Sequence, residues 1–300
     1  MEWRSKMKRL LTICATACIL GVVLTGTVKA GIVFPPDDTG WIIISTDDTE
    51  TLDGLAFQDG SLVKYYLPPV DVAVPFIDED WFGFIGYEDI DAFDILDNGH
   101  IILSTDTDAE LAGLMFRDGD LVEVDYDPVA CVVNTATLFF SEDLFNADEN
   151  IDAVDVLANG HIILSTTSPA KLGGCLFEEG DLAEYDPMTG LAMLFLDQDQ
   201  HFSDWPWPDI DAVQVLANGH IILSTSNSVG DVWIGGLIVR NGDLIDYDPV
   251  NKTASILLNK DWFVNADFWT NIDAVYVVPE PSMVLLLGLG SLALLRQRRT

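Results

Sequence analysis

The chain has 300 residues and carries 49 Asp and Glu against 14 Lys and Arg, a formal net charge of −35 at pH 7. This charge excludes nucleic acid as a partner, which requires clustered Lys and Arg, and it disfavours docking on anionic lipid. Hydrophobic residues make up 49% of the chain, so the sequence predicts a folded body and not the disorder typical of highly charged, weakly hydrophobic chains.

Residues 1–30 predict a signal peptide. A basic start is followed by an apolar run from Leu10 to about Leu24. The sequence Val-Lys-Ala then places small or β-branched residues where a signal peptidase reads them, so cleavage is expected after Ala30. A lipoprotein signal at Cys18 is an alternative, but Ala15 stands where such signals carry leucine.

Residues 31–278 form a body of four repeats, at about 40–97, 98–157, 158–216 and 217–278. The sequence DNGHIILST is followed by two copies of ANGHIILST and preceded by a degenerate GWIIIST, and the threonines that end these strands are 59, 61 and 59 residues apart. Two further blocks, [DN]-I-D-A-[VF] and a G-[DS]-L segment that runs on to tyrosine, recur once in every repeat. A period of this length indicates one supersecondary unit per repeat.

Each repeat predicts four short antiparallel strands. In the third repeat they are Ile151–Leu157, His161–Ser165, Asp181–Asp186 and Leu191–Leu196. Asn159-Gly160 between the first two strands is a hairpin signal, because both residues tolerate positive φ. The body shows no helical periodicity, and β-branched and aromatic residues dominate its apolar runs. The fold class is therefore all-β.

The phase of the repeats predicts a closed four-bladed β-propeller with four-stranded antiparallel blades. The body begins on a second strand, Trp41–Thr46, and ends just after a first strand, Ile272–Val278. If these two segments pair, the fourth blade is completed from both ends of the body and no strand edge is left open. A linear solenoid would instead need capping repeats, which the sequence lacks.

The last 22 residues, 279–300, predict a sorting signal. Pro279-Glu280-Pro281 precedes an apolar segment, Met283–Leu295, which is short for a transmembrane helix. A cluster of arginines follows, at Arg296, Arg298 and Arg299. This order of features resembles the PEP-CTERM sorting signal, whereas an ordinary tail anchor would not explain Pro-Glu-Pro. The resemblance implies an exosortase-type membrane protease as partner, a precursor held at the inner membrane, and delivery to the cell surface or extracellular matrix of a Gram-negative bacterium.

The body also resembles known repeats. The Ile-Asp-Ala segment and a later aromatic-Asp pair are similar to the hemopexin-like four-bladed propeller, although this repeat of about sixty residues is longer. The full pattern, D-I-D-A-V…N-G-H-I-I-L-S-T…G-D-L-x-x-Y-D-P, resembles acidic repeats of other exported PEP-CTERM proteins. Neither resemblance implies a specific activity.

The aspartate of Ile-Asp-Ala recurs in every repeat, as Asp91, Asp152, Asp211 and Asp273. In a closed ring these side chains would surround one mouth of the channel and form a cation site, because oxygen ligands suit Ca²⁺ or Mg²⁺. Ca²⁺ is the candidate cofactor. The alternative is structural: each carboxylate accepts hydrogen bonds from backbone N–H groups and fixes a crossover loop.

The remaining candidate residues are aromatic, histidine or cysteine. His100, His161 and His220 occupy one equivalent position per repeat, which predicts a structural role and not a zinc site. His201, Trp205 and Trp207 break the repeat and are candidates for a contact with sugar rings or a partner. In the mature body Cys131 and Cys175 remain, either as a disulfide or as two buried thiols.

Without both signals the body carries 6 Lys and Arg against 47 Asp and Glu, a charge of about −41. The sequence contains no nucleophile elbow, phosphate loop or metalloprotease motif, so no catalytic residue is assigned. We expect an exported, non-catalytic binding or structural propeller, with extracellular polysaccharide or a surface protein as partner. One alternative is a carbohydrate-active enzyme with its site at the channel mouth, which a pocket of non-repeating polar groups would favour. Another is an acidic calcium-binding matrix component.

Overall fold

The computed structural model describes residues 40–78, 82, 89–203, 208–226, 231–264, 266 and 270–278. The predicted signal peptide and the segment from residue 279 onward, with its apolar stretch and arginines, lie outside these residues. Within the described part of the chain, no helix has the length and apolar character needed to cross a bilayer.

The body is an all-β propeller of four blades, each a four-stranded antiparallel sheet. The strands of the first three blades, from the inner to the outer strand, are β6 (Ile90–Ile95), β7 (Ile101–Thr105), β10 (Leu121–Asp127) and β11 (Val132–Phe140); β12 (Ala153–Val156), β13 (Ile162–Ser165), β16 (Leu182–Asp186) and β17 (Leu191–Leu196); and β19 (Asp209–Val215), β20 (Ile221–Ser226), β23 (Leu244–Asp248) and β24 (Thr253–Leu258). The fourth blade combines both ends of the body: β25 (Ala274–Val278), β1 (Trp41–Ser45), β4 (Leu62–Tyr66) and β5 (Val72–Ile77).

In the fourth blade β1 pairs antiparallel with β25 over five residues, from Trp41 opposite Val278 to Ser45 opposite Ala274. The backbone N–H of Asp273 also donates to the Ser45 carbonyl, at 3.2 Å. The pairing predicted from the phase of the repeats is therefore present in the structure.

Each repeat also holds a small hairpin that the four-strand prediction missed. These hairpins lie between the second and third main strands and consist of β2 (Glu50–Leu52) with β3 (Leu55–Phe57), β8 (Ala109–Leu111) with β9 (Leu114–Phe116), β14 (Ala170–Leu172) with β15 (Cys175–Phe177), and β21 (Val232–Ile234) with β22 (Leu237–Val239). In the last of them β18 (Phe202–Ser203) pairs with β21. Short helical segments in the crossovers include a 3-10 turn at Glu142–Leu144, the helix α1 (Gln198–His201) and a 3-10 turn at Lys260–Trp262.

Four apolar clusters fill the spaces between neighbouring blades. One cluster, for example, joins Ile42 and Val275 of the fourth blade to Ile222 and Leu258 of the third. The other three join the fourth blade to the first, the first to the second, and the second to the third. The alanines of the Ile-Asp-Ala segments are buried in these clusters, where a small side chain lets adjacent inner strands approach closely.

The G-[DS]-L block is explained by hydrogen bonding. Asp120 accepts the backbone N–H of Arg117 with one carboxylate oxygen and that of Glu142, in the crossover to the next blade, with the other. Asp181 and Asp243 make the same pair of contacts in their blades. The glycine before each of these aspartates runs so close to the crossover that an added Cβ would overlap it; for Gly180 the Pro208 carbonyl oxygen would lie at 2.0 Å.

Candidate metal centre at one end of the central channel

The four inner strands, β6, β12, β19 and β25, contact one another around the propeller axis. We call the channel end where these strands begin the aspartate end; it is defined by Asp91, Asp152, Asp211 and Asp273. Asp91 and Asp211 occupy bulges, where the pairing register slips between Ile90 and Ala92 and between Ile210 and Ala212. A bulge redirects a side chain out of the sheet pattern. Asp152 and Asp273 precede their strands directly.

Residues two positions before these aspartates complete the aspartate end: Asp89, Asn150, Asp209 and Asn271. They alternate between acid and amide from blade to blade. The Asn271 side chain donates from Nδ2 to Asp211 Oδ2 at 3.0 Å and to Asp273 Oδ1 at 2.9 Å. Asp209 is a carboxyl and not an amide, so its hydrogen bond with the Asp152 side chain needs a proton on one of the two groups.

Several carboxylate oxygens at this end are buried without a donor among the described residues. They are both oxygens of Asp91, both oxygens of Asp152 and Oδ1 of Asp209. Asp91 is 9% exposed and Asp152 is 5% exposed. The backbone of each residue still interacts favourably with the carboxylates of Asp91 and Asp152, as does the Asn150 side chain with Asp91, so the structural alternative stays a prediction. Buried acceptors without partners are costly and point to a proton or a bound group.

Burial raises the pKa of all four aspartates well above the usual range. For Asp152 the next causes are the charges of Asp209 and Asp211, whereas for Asp91 the nearby Asn150 side chain opposes the shift. Burial also raises the pKa of Asp209 to about 7. These carboxylates cannot all be ionised at neutral pH unless a cation compensates them.

Asp152, Asp209 and Asp211 form the one group of three potential ligands found in the described part of the chain, with ligand atoms all within 4.8 Å of one another. Two predicted metal residues, Asp152 and Asp211, are thus brought together. The other two, Asp91 and Asp273, lie in the same ring but outside this group. Asp209 was missed by the sequence analysis, although the [DN] position of the repeated block held the signal.

The opposite end of the channel, which we call the hairpin end, is defined by Asp94, Asp155, Gln214 and Tyr276, three residues further along each inner strand. Three of these side chains reach to the next blade in the same way, accepting the backbone N–H of Val156, Val215 and Val277, respectively. Tyr276 does not continue this series of contacts. In the blade that follows Tyr276, the Ile95 N–H donates to Asp94 of its own strand. The four side chains line a cavity of about 580 Å³.

The two acids of the hairpin end also titrate abnormally. Burial raises the pKa of Asp94 to about 6, against two backbone hydrogen bonds that lower it. Burial and the charge of Asp94 raise the pKa of Asp155 to about 8. Both carboxyls are therefore protonated more readily than an exposed aspartate.

The three repeated histidines lie one per blade at the rim of the hairpin end. Their Nδ1 atoms are paired with Glu123, Glu184 and Asp246 at 2.6–2.7 Å. In the remaining blade Trp41 takes this position, and Lys64 Nζ lies 3.8 Å from the centre of its ring. Each histidine thus contacts its own blade.

The other predicted residues have separate surroundings. His201 Nδ1 is 2.8 Å from the Tyr247 hydroxyl, and burial lowers its pKa. Trp205 and Trp207 lie outside the described residues, so the aromatic contact stays a prediction. Cys131 and Cys175 carry reduced thiols, the first buried and the second partly exposed.

Comparison with known proteins adds information at the C-terminus. Residues 277–299 match the PEP-CTERM protein-sorting motif. The uncharacterized protein YqbI of Bacillus subtilis (strain 168) is 28% identical over 68 residues, which cover 23% of this chain and 40% of that protein. The chain thus spans less than half of the curated relative it matches.

Similar solved structures include the extracellular domain of a putative one-component system from B. thetaiotaomicron, at 12% identity over 78% of this chain and 36% of that chain, with a TM-score of 0.34. A luciferin-regenerating enzyme matches at 9% identity over 72% of this chain and 78% of its own, with a TM-score of 0.35. A protein of unknown function from Bacteroides caccae matches at 10% identity over 81% and 100%, with a TM-score of 0.32. Scores this low carry no argument about function. The sorting motif does: the chain is an exported protein that is sorted through the membrane, and its motif implies processing by an exosortase.

Proposed function

We propose that this protein is a non-catalytic structural or binding module of the cell surface or extracellular matrix, and that the aspartate end of its channel binds Ca²⁺. The observation that carries the proposal is the Asp152 carboxylate, which is buried among other acids without a donor for either oxygen. A divalent cation would satisfy these acceptors and offset the mutual repulsion. Calcium and salt outside the cell would also screen the strongly negative body.

The pairing of β1 with β25 supports a ring that stays closed in solution. Further contacts fasten the same segment: the Thr270 hydroxyl donates to Glu50 at 2.7 Å, and the Asn271 N–H donates to Asp47 at 3.0 Å. Asn271 and Asp273 belong to the aspartate end, so a bound cation would join this segment to the other blades.

Thermal melting of the purified full chain tests the cation. The protein is first treated with chelator and then melted with and without 1 mM Ca²⁺. If the dissociation constant is near 10 μM, Ca²⁺ adds about 2.7 kcal/mol to the free energy of unfolding, a shift of roughly 5–10 °C. A midpoint that millimolar Ca²⁺ leaves unmoved would remove the metal proposal. Asp108→Asn, which changes an exposed acid outside the ring, is the matched control and should retain the full shift.

Delivery is tested separately, by fractionating cells with and without the exosortase-type protease. We expect the processed protein at the surface or in the matrix of the first strain and an uncleaved, membrane-held precursor in the second. Equal distribution in both strains would contradict processing by that protease.

One observation favours an enzyme as the second candidate. The cavity at the hairpin end is lined by polar groups that differ between blades, and two of them, Asp94 and Asp155, have pKa values pushed apart. Such a pair can divide acid and base roles. Screening polysaccharides for hydrolysis by the wild type and by Asp155→Asn tests this candidate. Activity that the variant loses would establish an enzyme and replace the non-catalytic proposal.

A glycan array tests the predicted polysaccharide partner. The wild type is compared with Trp205→Ala and Trp207→Ala, because stacking on exposed indole rings would be lost in both variants. Equal signals from the three proteins would discard the aromatic contact and leave the cation proposal unaffected.

A further inference from the structure

The aspartate end is not four-fold symmetric, so its possible binding positions for a cation are not equivalent. We infer that one Ca²⁺ binds off the propeller axis, held by Asp152, Asp209 and Asp211, and that Asp209 selects this position. The inference rests on the proposed calcium binding and specifies the ligands. A symmetric ring would instead place the ion on the axis and use the four Ile-Asp-Ala aspartates equally.

The free oxygen atoms favour the off-axis position. Asp152 presents two oxygens and Asp209 presents Oδ1 without donors. Asp211 is held in place, because Ser226 Oγ donates to its Oδ1 at 3.0 Å and Asn271 Nδ2 donates to its Oδ2 at 3.0 Å. Three oxygens of two carboxylates thus lack partners and stand beside a third carboxylate with a fixed orientation.

The three carboxylates are close enough to share one ion. Oxygen ligands lie about 2.3–2.6 Å from Ca²⁺, so opposite ligands in its shell are about 5 Å apart, whereas those of Mg²⁺ are about 4 Å apart. The ligand atoms of Asp152, Asp209 and Asp211 all lie within 4.8 Å of one another, so a single ion of either size can contact all three carboxylates. Ca²⁺ also accepts an irregular arrangement completed by water from the channel.

The alternation of acid and amide leaves an acid at only two of the four equivalent positions, Asp89 and Asp209, and only Asp209 belongs to the close trio. At the place equivalent to Asp209, the preceding blade has Asn150 beside Asp91, and the following blade has Asn271. An amide removes one negative charge, and the Asn271 Nδ2 group already satisfies Asp211 and Asp273. Among the described residues no other trio of acids comes as close together.

Calorimetric titration of chelator-treated full chain with CaCl₂ tests the assignment. We expect one site in the wild type, an affinity at least ten-fold weaker in Asp209→Asn, and an affinity within three-fold of the wild type in Asp91→Asn. These two variants are matched, because each removes one carboxylate from the same ring.

The outcomes separate the two proposals. A wild type that binds no Ca²⁺ contradicts the proposed function itself. Binding that Asp91→Asn and Asp209→Asn weaken equally leaves calcium binding intact and overturns the off-axis position. Melting in chelator checks folding: Asp209→Asn should melt at or above the wild type, because it removes a buried charge. Asp209→Ser is a second neutral replacement, and its affinity loss must also reach ten-fold for the assignment to stand.

Discussion

The two ends of the channel differ in what is repeated from blade to blade: the residue at the aspartate end, and the hydrogen-bond contact at the hairpin end. At the aspartate end the residue is the same in all four blades, yet its contacts differ: Asp211 has two side-chain donors, and Asp152 has none. At the hairpin end the residue changes from aspartate to glutamine, yet Asp155 and Gln214 both accept a backbone N–H from the next blade. A structural role therefore preserves the contact and tolerates a change of residue.

The repetition of a residue in every blade is consequently weak evidence that the residue has a structural role. The Asp120 type of contact is repeated and fully used, so it explains its own recurrence. The Ile-Asp-Ala aspartate recurs without such use in the blade of Asp152. Buried, unsatisfied acceptors cost free energy, so their retention is better explained by a bound group.

The largest expected effect breaks the support of the aspartate end. Gly180→Ala should lower the free energy of unfolding by more than about 3 kcal/mol, because it combines a positive φ with a clash against the backbone next to Asp209. Gly160→Ala at the hairpin end is the matched control. It shares the positive φ but has no atom within 4 Å, so about 1 kcal/mol is expected. Urea unfolding measures both, and equal losses would refute the close approach.

The next effect concerns the pH dependence of the hairpin end. Because the pKa of Asp155 is raised to about 8, its stabilising contribution is fully present near pH 4 and is lost as the pH rises through 8. Asp155→Asn stays neutral and keeps an acceptor for the Val215 N–H, as Gln214 does for Val277. The variant should gain about 2 kcal/mol at pH 9 and nearly nothing at pH 4. Urea unfolding across this range measures the gain, and a pH-independent difference would argue against a buried, titrating carboxyl.

A smaller effect tests the repeated contact. Gln214→Ala removes the acceptor of the Val277 N–H and should cost about 1 kcal/mol. Gln200→Ala, at an exposed position, is the control and should be nearly neutral. Chemical unfolding of both variants measures the difference. If Gln214→Ala is as neutral as its control, the contacts between blades at the hairpin end do not contribute to stability.

The smallest effect is expected at the rim. His161 and Glu184 are partly exposed, with 31% and 20% of their side chains accessible, so their side-chain contact contributes little to stability. His161→Gln should change the free energy of unfolding by less than about 0.5 kcal/mol at pH 7 and leave Ca²⁺ affinity unchanged. Unfolding and calcium titration measure the two quantities. A loss of unfolding free energy above about 1.5 kcal/mol would show that the histidines contribute substantially to the stability of the blades.

The fold was accessible to sequence analysis because period and phase are long-range signals. Four copies of one strand set the blade count, and the cut between first and second strands predicted the pairing of β1 with β25. The small hairpins were not predicted, because their strands are only three residues long. Three of their turns, Asp53-Gly54, Gly173-Gly174 and Gly235-Gly236, do carry a hairpin signal, and only Ala112-Gly113 does not.

The candidate site was predicted in part. The four Ile-Asp-Ala aspartates were identified from their recurrence, but Asp209 stands at a position that other blades fill with asparagine. Whether that position matters depends on which carboxylates face each other across blades. This information lies in the bulges and in the Asn271 side chain, not in the repeat. The acids of the hairpin end were missed because their residue type is not repeated.

The pairing of the first strand with the last fixes an order of events during export. Ile42 meets Val277, which is nearly the whole body away along the chain, so one edge of β1 must wait until synthesis and secretion of the propeller are almost complete. Throughout that interval the unpaired edge of β1 can pair with the wrong strand. The sorting motif begins at residue 277, so it emerges together with β25, the strand that completes the pairing. Maturation and processing thus converge on the same few residues, and shortening the chain before Ala274 should leave a secreted intermediate that proteases cut and that self-associates.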